Sequence, residues 1–120
     1  MTHLFVYGTL KRGCKNHHLI AGQTFVGEAR SAPGYRLYDL GDYPGMVVDA
    51  DDTEGVTGEI WSVTPDALKR LDAFEGVGLG LYRREPVALI APFAQTAAHT
   101  YLYNRDPGAR RIGPTWQEEP

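Results

Sequence analysis

The chain has 120 residues, with fifteen acidic against twelve basic side chains and a formal charge of −3. A chain of this size is expected to form one domain, 1–120, that buries roughly two thirds of the surface its unfolded form exposes and needs no disulfide or metal staple. Basic runs stop at the doublets Lys11-Arg12, Arg83-Arg84 and Arg110-Arg111, no apolar run approaches the roughly 20 residues of a membrane span, Cys14 is the only cysteine, and Met1-Thr2-His3-Leu4 opens no signal sequence. A nucleic-acid surface, a membrane span and a disulfide framework are therefore set aside, and a cytoplasmic protein is expected.

Residues 3–7 form the first run rich in β-branched and aromatic side chains, and Gly8-Thr9 breaks it abruptly. Glycine permits close backbone approach, so successive N–H groups around Tyr7, Gly8, Thr9 and Leu10 are able to converge on a carboxylate or a developing oxyanion. Thr9 adds a hydroxyl. The glycine spacing is not that of a phosphate loop. A short helical turn is expected near 15–21, where Asn16 is a candidate substrate contact. Further strand-like runs follow at 24–29, 35–39 and 46–49.

Residues 56–63 alternate, with Val56, Gly58, Ile60 and Ser62 on one face and Thr57, Glu59, Trp61 and Val63 on the other. Neither face is purely apolar, which suits a curved sheet. A helix is predicted over 65–75: Thr64 stands at the N-cap, Pro65 at the first helical position and Gly76 just past the end. Leu68, Leu71 and Glu75 then share one stripe, which puts a carboxylate on the apolar face and in the last turn. Burial and the negative end of the helix dipole both favour its neutral form, so its pKa is expected to rise toward the range a general acid/base requires.

Runs at 82–90 and 98–103 read as a hairpin with a long loop, and the tail from Asp106 reads as irregular. Tyr101 and Tyr103 share a strand face, and one of them, or Tyr82, is able to direct a hydroxyl toward a cavity. Six or seven strands with one main helix predict an α+β domain, a small, mostly antiparallel β-barrel that is closed or nearly closed. Cys14 with His17 or His18 lacks the oriented third member of a thiol hydrolase. His3, His17, His18 and His99 match no common metal spacing, and no metal is expected.

Tyr7-Gly8-Thr9-Leu10-Lys11-Arg12-Gly13 with Asn16-His17, then Leu71-Asp72-Ala73-Phe74-Glu75-Gly76 and Tyr82-Arg83-Arg84, resembles the gamma-glutamyl cyclotransferase-like family, most closely its gamma-glutamylamine cyclotransferase branch. Tyr101-Leu102-Tyr103-Asn104 and Trp116 extend the resemblance along the whole chain. It implies a β-barrel-like α+β fold, no cofactor, and release of 5-oxoproline from a small-molecule gamma-glutamyl substrate. Glu75 would be the catalytic acid/base, and the loop from Tyr7 to Leu10 would cradle the glutamyl end. Two segments depart from the family pattern, Val77-Gly78-Leu79-Gly80-Leu81 and Gly113-Pro114-Thr115-Trp116, and both are expected on the leaving-group side. The runner-up from another class is a binding protein that holds a gamma-glutamyl or amino-acid ligand without turning it over.

Overall fold

The computed structural model describes residues 1–118. Seven strands form where the β-branched and aromatic runs fall: β1 (Thr2–Val6), β2 (Thr24–Arg30), β3 (Tyr35–Asp39), β4 (Pro44–Val48), β5 (Thr57–Val63), β6 (Tyr82–Val87) and β7 (Ala98–Tyr103). One helix, α1 (Pro65–Phe74), lies between β5 and β6, and 3-10 turns occupy His17–Leu19 and Val77–Leu79. The fold is α+β. The run at 82–90 is shorter as a strand than predicted: β6 ends at Val87, and Leu89 makes only an isolated bridge to Ser31.

The sheet corrects the barrel expectation. Its order is β2-β5-β1-β7-β4-β3 with β6 on β7, and it is open, since β2 and β3 end the path without pairing to each other. It is also mixed, because β7 runs parallel to both β1 and β4. The irregular tail does part of the work that closure would have done. Asp39 N–H donates to Arg110 O and Ile112 N–H to Leu37 O, so the tail covers the outer edge of β3, and Thr57 N–H reaches Pro114 O. An edge strand covered in this way no longer offers a free ladder to another chain.

Both faces of the sheet are packed, which explains why the alternation in β5 is not apolar on one side alone. Leu4, Val6, Trp61, Val63, Leu71, Tyr82 and Tyr101 belong to one core, and Phe5, Tyr7, Val56, Ile60, Met46 and Leu102 to the other. Among the described residues no helix is long and apolar enough to cross a membrane.

Helix α1 follows its sequence signals. Thr64 sits in extended backbone and its Oγ1 accepts from Ala67 N–H at 3.1 Å, Pro65 opens the helix, and Gly76 takes the left-handed conformation, φ 69°, that ends it. Thr64→Ala removes the acceptor for one orphan N–H and is expected to cost about 1 kcal/mol, read as a lower urea midpoint at unchanged slope.

One topological detail places the site. β6 pairs along the full length of β7, so β1 and β4 share the other edge, β1 at His99 and β4 at Leu102. The two strands part where β1 ends. Tyr7 spans the fork, its hydroxyl donating to Tyr101 O at 2.5 Å and accepting from Met46 N–H at 3.2 Å, so it supplies hydrogen bonds that the divided ladder lacks.

Candidate active site

A cavity of about 370 Å³ opens at this fork, within the size range of small-molecule sites. Its walls come from the end of β1 and its loop (Phe5 to Leu10), from Lys15 and Asn16, from Asp42 to Pro44, from the end of α1 (Phe74 and Glu75), and from Leu81, Tyr82 and Tyr101. The eight candidate catalytic and substrate-binding residues all line it, Tyr7, Gly8, Thr9, Leu10, Asn16, Glu75, Tyr82 and Tyr101, whereas Tyr103, the other tyrosine on the Tyr101 strand face, does not. Their separation in sequence is bridged by β7, which carries Tyr101 and holds β1, β4 and β6 around it.

The loop after β1 is shaped by close approach. A Cβ built on Gly8 would lie 2.8 Å from Pro44 Cγ, so only glycine lets this turn sit against the start of β4. Lys11 N–H closes the turn onto Gly8 O at 3.2 Å. The N–H groups of Gly8, Thr9 and Leu10, all three residues buried, donate to no acceptor among the described residues. Buried main-chain donors are nearly always satisfied, so three in succession on a cavity wall are donors available to an anionic or carbonyl oxygen. Asn16 Nδ2 donates to Thr9 Oγ1 at 3.1 Å, which leaves the threonine hydroxyl proton free to donate in turn.

Glu59, which the sequence did not single out, holds the far side of this loop. Glu59 is 7% exposed, and its carboxylate accepts from Arg12 N–H (3.1 Å), Arg12 Nε (3.0 Å) and Trp61 Nε1 (3.1 Å). Its place in an alternating strand gave no signal that a loop would be tied to it. Lys15, Asp42, Tyr43 and Pro44 were likewise unmarked as cavity residues. Lys15 Nζ donates to the carbonyl of Asp42 across the mouth.

The helix stops one residue earlier than predicted, so Glu75 is its C-cap rather than part of its last turn. Its carboxyl group accepts no hydrogen bond from the described residues, and burial raises its pKa from 4.5 to about 7. Burial is the cause; the expected contribution of the helix end is not required. The carboxylate in turn helps keep three neighbouring phenols protonated. Tyr7, Tyr82 and Tyr101 all titrate well above the ordinary tyrosine value, first through burial, with Glu75 a further cause in each.

The competing arrangements do not assemble. The Cys14 thiol is pushed up by burial, the opposite of a reactive thiolate. The His17 ring is engaged elsewhere, with Nδ1 2.9 Å from Leu10 O and the ring packed on Trp61. Among the described residues no group of three or more His, Cys, Asp or Glu is placed to hold a metal ion. Of the two departing segments, Leu81 lines the cavity, whereas Thr115 and Trp116 line a separate open groove beside Lys11 and Cys14.

Comparison with known proteins gives the same direction. The family described as "Gamma-glutamyl cyclotransferase, AIG2-like" matches residues 4–118. A gamma-L-glutamyl-butirosin B gamma-glutamyl cyclotransferase of Niallia circulans is 34% identical over 112 residues, covering 88% of this chain and 69% of that protein. A gamma-glutamylaminecyclotransferase of Rattus norvegicus is 37% identical over 83 aligned positions, covering 63% of this chain and 56% of the rat protein. The crystal structure of an AIG2-like protein from Mus musculus superimposes with a TM-score of 0.69 at 28% identity, covering 91% of this chain and 80% of that one.

Proposed function

The chain belongs to the gamma-glutamyl cyclotransferase, AIG2-like family, and from that premise we propose that it cleaves a gamma-glutamylamine-type substrate to 5-oxoproline and a free amine, with Glu75 as general acid/base. The family and its named relatives support gamma-glutamyl cyclotransferase activity in general. The observation that carries the finer reading is the pairing of an unpartnered, pKa-raised Glu75 carboxyl with three unpaired main-chain donors on one cavity.

The substrate brings its own nucleophile. Its α-amine reaches its γ-carbonyl and closes a five-membered lactam, but at neutral pH that amine is protonated and inert. Glu75, with a pKa of about 7, takes that proton. The amine attacks, the carbonyl π electrons move onto oxygen, and the N–H groups of Gly8 to Leu10 and the Thr9 hydroxyl are the donors available to the oxyanion or to the α-carboxylate. Collapse of the tetrahedral intermediate expels the leaving nitrogen, which receives the proton from Glu75, and the ring nitrogen, still carrying two hydrogens, gives one to the emptied carboxylate, from which it passes to the freed amine or to water. Holding amine and carbonyl about 3–3.5 Å apart supplies much of the acceleration expected of an oriented intramolecular reaction. No cofactor is needed for any step. At the mouth, Tyr43, Phe74 and Leu81 offer apolar surface for an alkyl amine.

Mass-spectrometric detection of 5-oxoproline from a panel of gamma-glutamylamines, gamma-glutamyl dipeptides and glutathione tests the reading. Product from the gamma-glutamylamines is expected. Binding of these compounds with no product from any of them would replace the enzyme with a ligand-binding protein.

A further inference from the structure

Two phenols beside Glu75 have their protons already committed. Tyr82 Oη donates to the carbonyl of Pro44 at 2.9 Å, and a carbonyl has no proton to return, so chemistry fixes the direction of that bond. Tyr101 Oη donates to Asp72 Oδ1 at 2.7 Å. Asp72 is gripped by both arms of Arg84, Nε to Oδ1 at 2.9 Å and Nη2 to Oδ2 at 3.2 Å, a bidentate ion pair in which the carboxylate only accepts. A phenol has one proton and two lone pairs. Tyr82 and Tyr101 therefore offer the cavity lone pairs and no hydrogen. Tyr7 differs, because its hydroxyl both donates to Tyr101 O and accepts from Met46 N–H.

The cavity is thus sorted by hydrogen-bond polarity. Glu75 and the oxygens of Tyr82 and Tyr101 are acceptors, while the donors are in the loop from Gly8 to Leu10. The α-carbon of a gamma-glutamyl group bears an ammonium with three N–H donors and a carboxylate with none. A carboxylate beside Glu75, Tyr82 and Tyr101 would meet lone pairs and negative charge alone. Resting on the cyclotransferase reading, we propose that Tyr82 and Tyr101 accept hydrogen bonds from the substrate's α-ammonium group, and that Asp72, held by Arg84, is the positioning residue that keeps the Tyr101 proton out of the cavity. Three acceptors then match three donors. When Glu75 takes one proton, the other two N–H groups stay on the phenols and the freed lone pair is held in a fixed direction for attack on the γ-carbonyl. Asp72 is the one acidic residue of the Leu71 to Gly76 motif that the acid/base chemistry itself leaves without a role.

Binding is measured by calorimetry in a Glu75→Gln background, which blocks turnover, with three ligands: gamma-glutamyl-n-butylamide, glutaric acid mono-n-butylamide, which lacks the amine, and N-butyl-4-aminobutanamide, which lacks the carboxylate. Tyr82→Phe and Tyr101→Phe are each expected to weaken the two amine-bearing ligands roughly tenfold, the scale of a lost charge-assisted hydrogen bond. The amine-free ligand is expected to keep its affinity. Asp72→Ala should weaken the amine-bearing ligands similarly, yet add little once Tyr101→Phe is present, a non-additivity that a general loss of stability does not produce. In the protein with Glu75 intact, both tyrosine substitutions should raise KM for gamma-glutamyl-n-butylamide by about tenfold. Equal weakening of the amine-free ligand, or no change in any ligand or in KM, overturns the proposal. Absence of 5-oxoproline from the unaltered protein removes the cyclotransferase reading itself, whereas turnover with ligand-indifferent tyrosine variants removes only the ammonium site.

Discussion

Glu75→Gln should abolish turnover in a protein that still folds. The substitution keeps the size and hydrogen-bonding shape of the side chain and removes only its capacity to take and return a proton. Positioned acid/base groups contribute about 10²- to 10⁴-fold, and here one group serves both halves of the reaction, so a loss at or beyond the upper end of that range is expected in kcat. The unaltered protein should show kcat/KM rising with pH and levelling near pH 7, where burial sets the pKa of this carboxyl. A folded glutamine variant with more than about a tenth of the activity would remove Glu75 from the mechanism.

The same carboxyl has a measurable cost in stability, and its sign is opposite to that of an ion-paired acid. The folded protein holds the Glu75 proton up to about pH 7, while the unfolded chain releases it near 4.5. Between those values the folded state binds more protons, so stability falls as pH rises. A difference from 4.5 to about 7 corresponds to about 3 kcal/mol at full effect, an upper bound for a site open to water. Glu75→Gln carries no such charge. At pH 8 it should therefore unfold several degrees above the unaltered protein, and at pH 4 the two should unfold together. Equal melting temperatures at pH 8 would contradict the buried, unpartnered placement of this group.

The second large effect is structural. Gly58→Ala should destabilise the fold by roughly 3 kcal/mol or more, at or beyond the upper end of ordinary overpacking. A Cβ there would lie 2.4 Å from Val6 O and 2.8 Å from Phe5 Cζ, the first a backbone atom of β1 and the second part of a fully buried ring. Neither is able to yield separately. Val6 is paired through Glu59 to the same strand, and moving it would carry with it the loop that opens at Tyr7. Gly78→Ala provides the control, since a Cβ at that position meets nothing within 4 Å. Urea unfolding of the two variants should separate them by more than the full expected effect of the Thr64 cap. Coincident midpoints would mean that β1 and β5 are less closely packed at Gly58 than described.

Much of this was legible in the residues themselves, because the signals concerned are local. Thr64, Pro65 and Gly76 delimit α1 through backbone chemistry that operates within a few positions, and Glu75 follows one place behind the last helical residue. Short runs rich in β-branched and aromatic residues marked all seven strands for a similar reason. The eight candidate site residues are legible in the sequence too, some through motif and family resemblance rather than through physics alone.

What the sequence could not give was partnership. Alternation says that a segment is a strand and which side chains share a face, but it carries no information about its neighbour or direction. The parallel pairings of β7 with β1 and β4, the open edge of the sheet and the tail across β3 are therefore products of tertiary structure. So is the polarity of the site. A tyrosine in a sequence is equally a donor and an acceptor, and only the Pro44 carbonyl and the Asp72 carboxylate, brought in from β4 and α1, decide that Tyr82 and Tyr101 have no proton left to offer. Sequence determined which groups this protein possesses and which local backbone each prefers. Long-range packing decided their environment, and a group's pKa and the direction of its hydrogen bonds belong to the environment, because both are free-energy differences between a charged or donated proton and the particular atoms available to receive it.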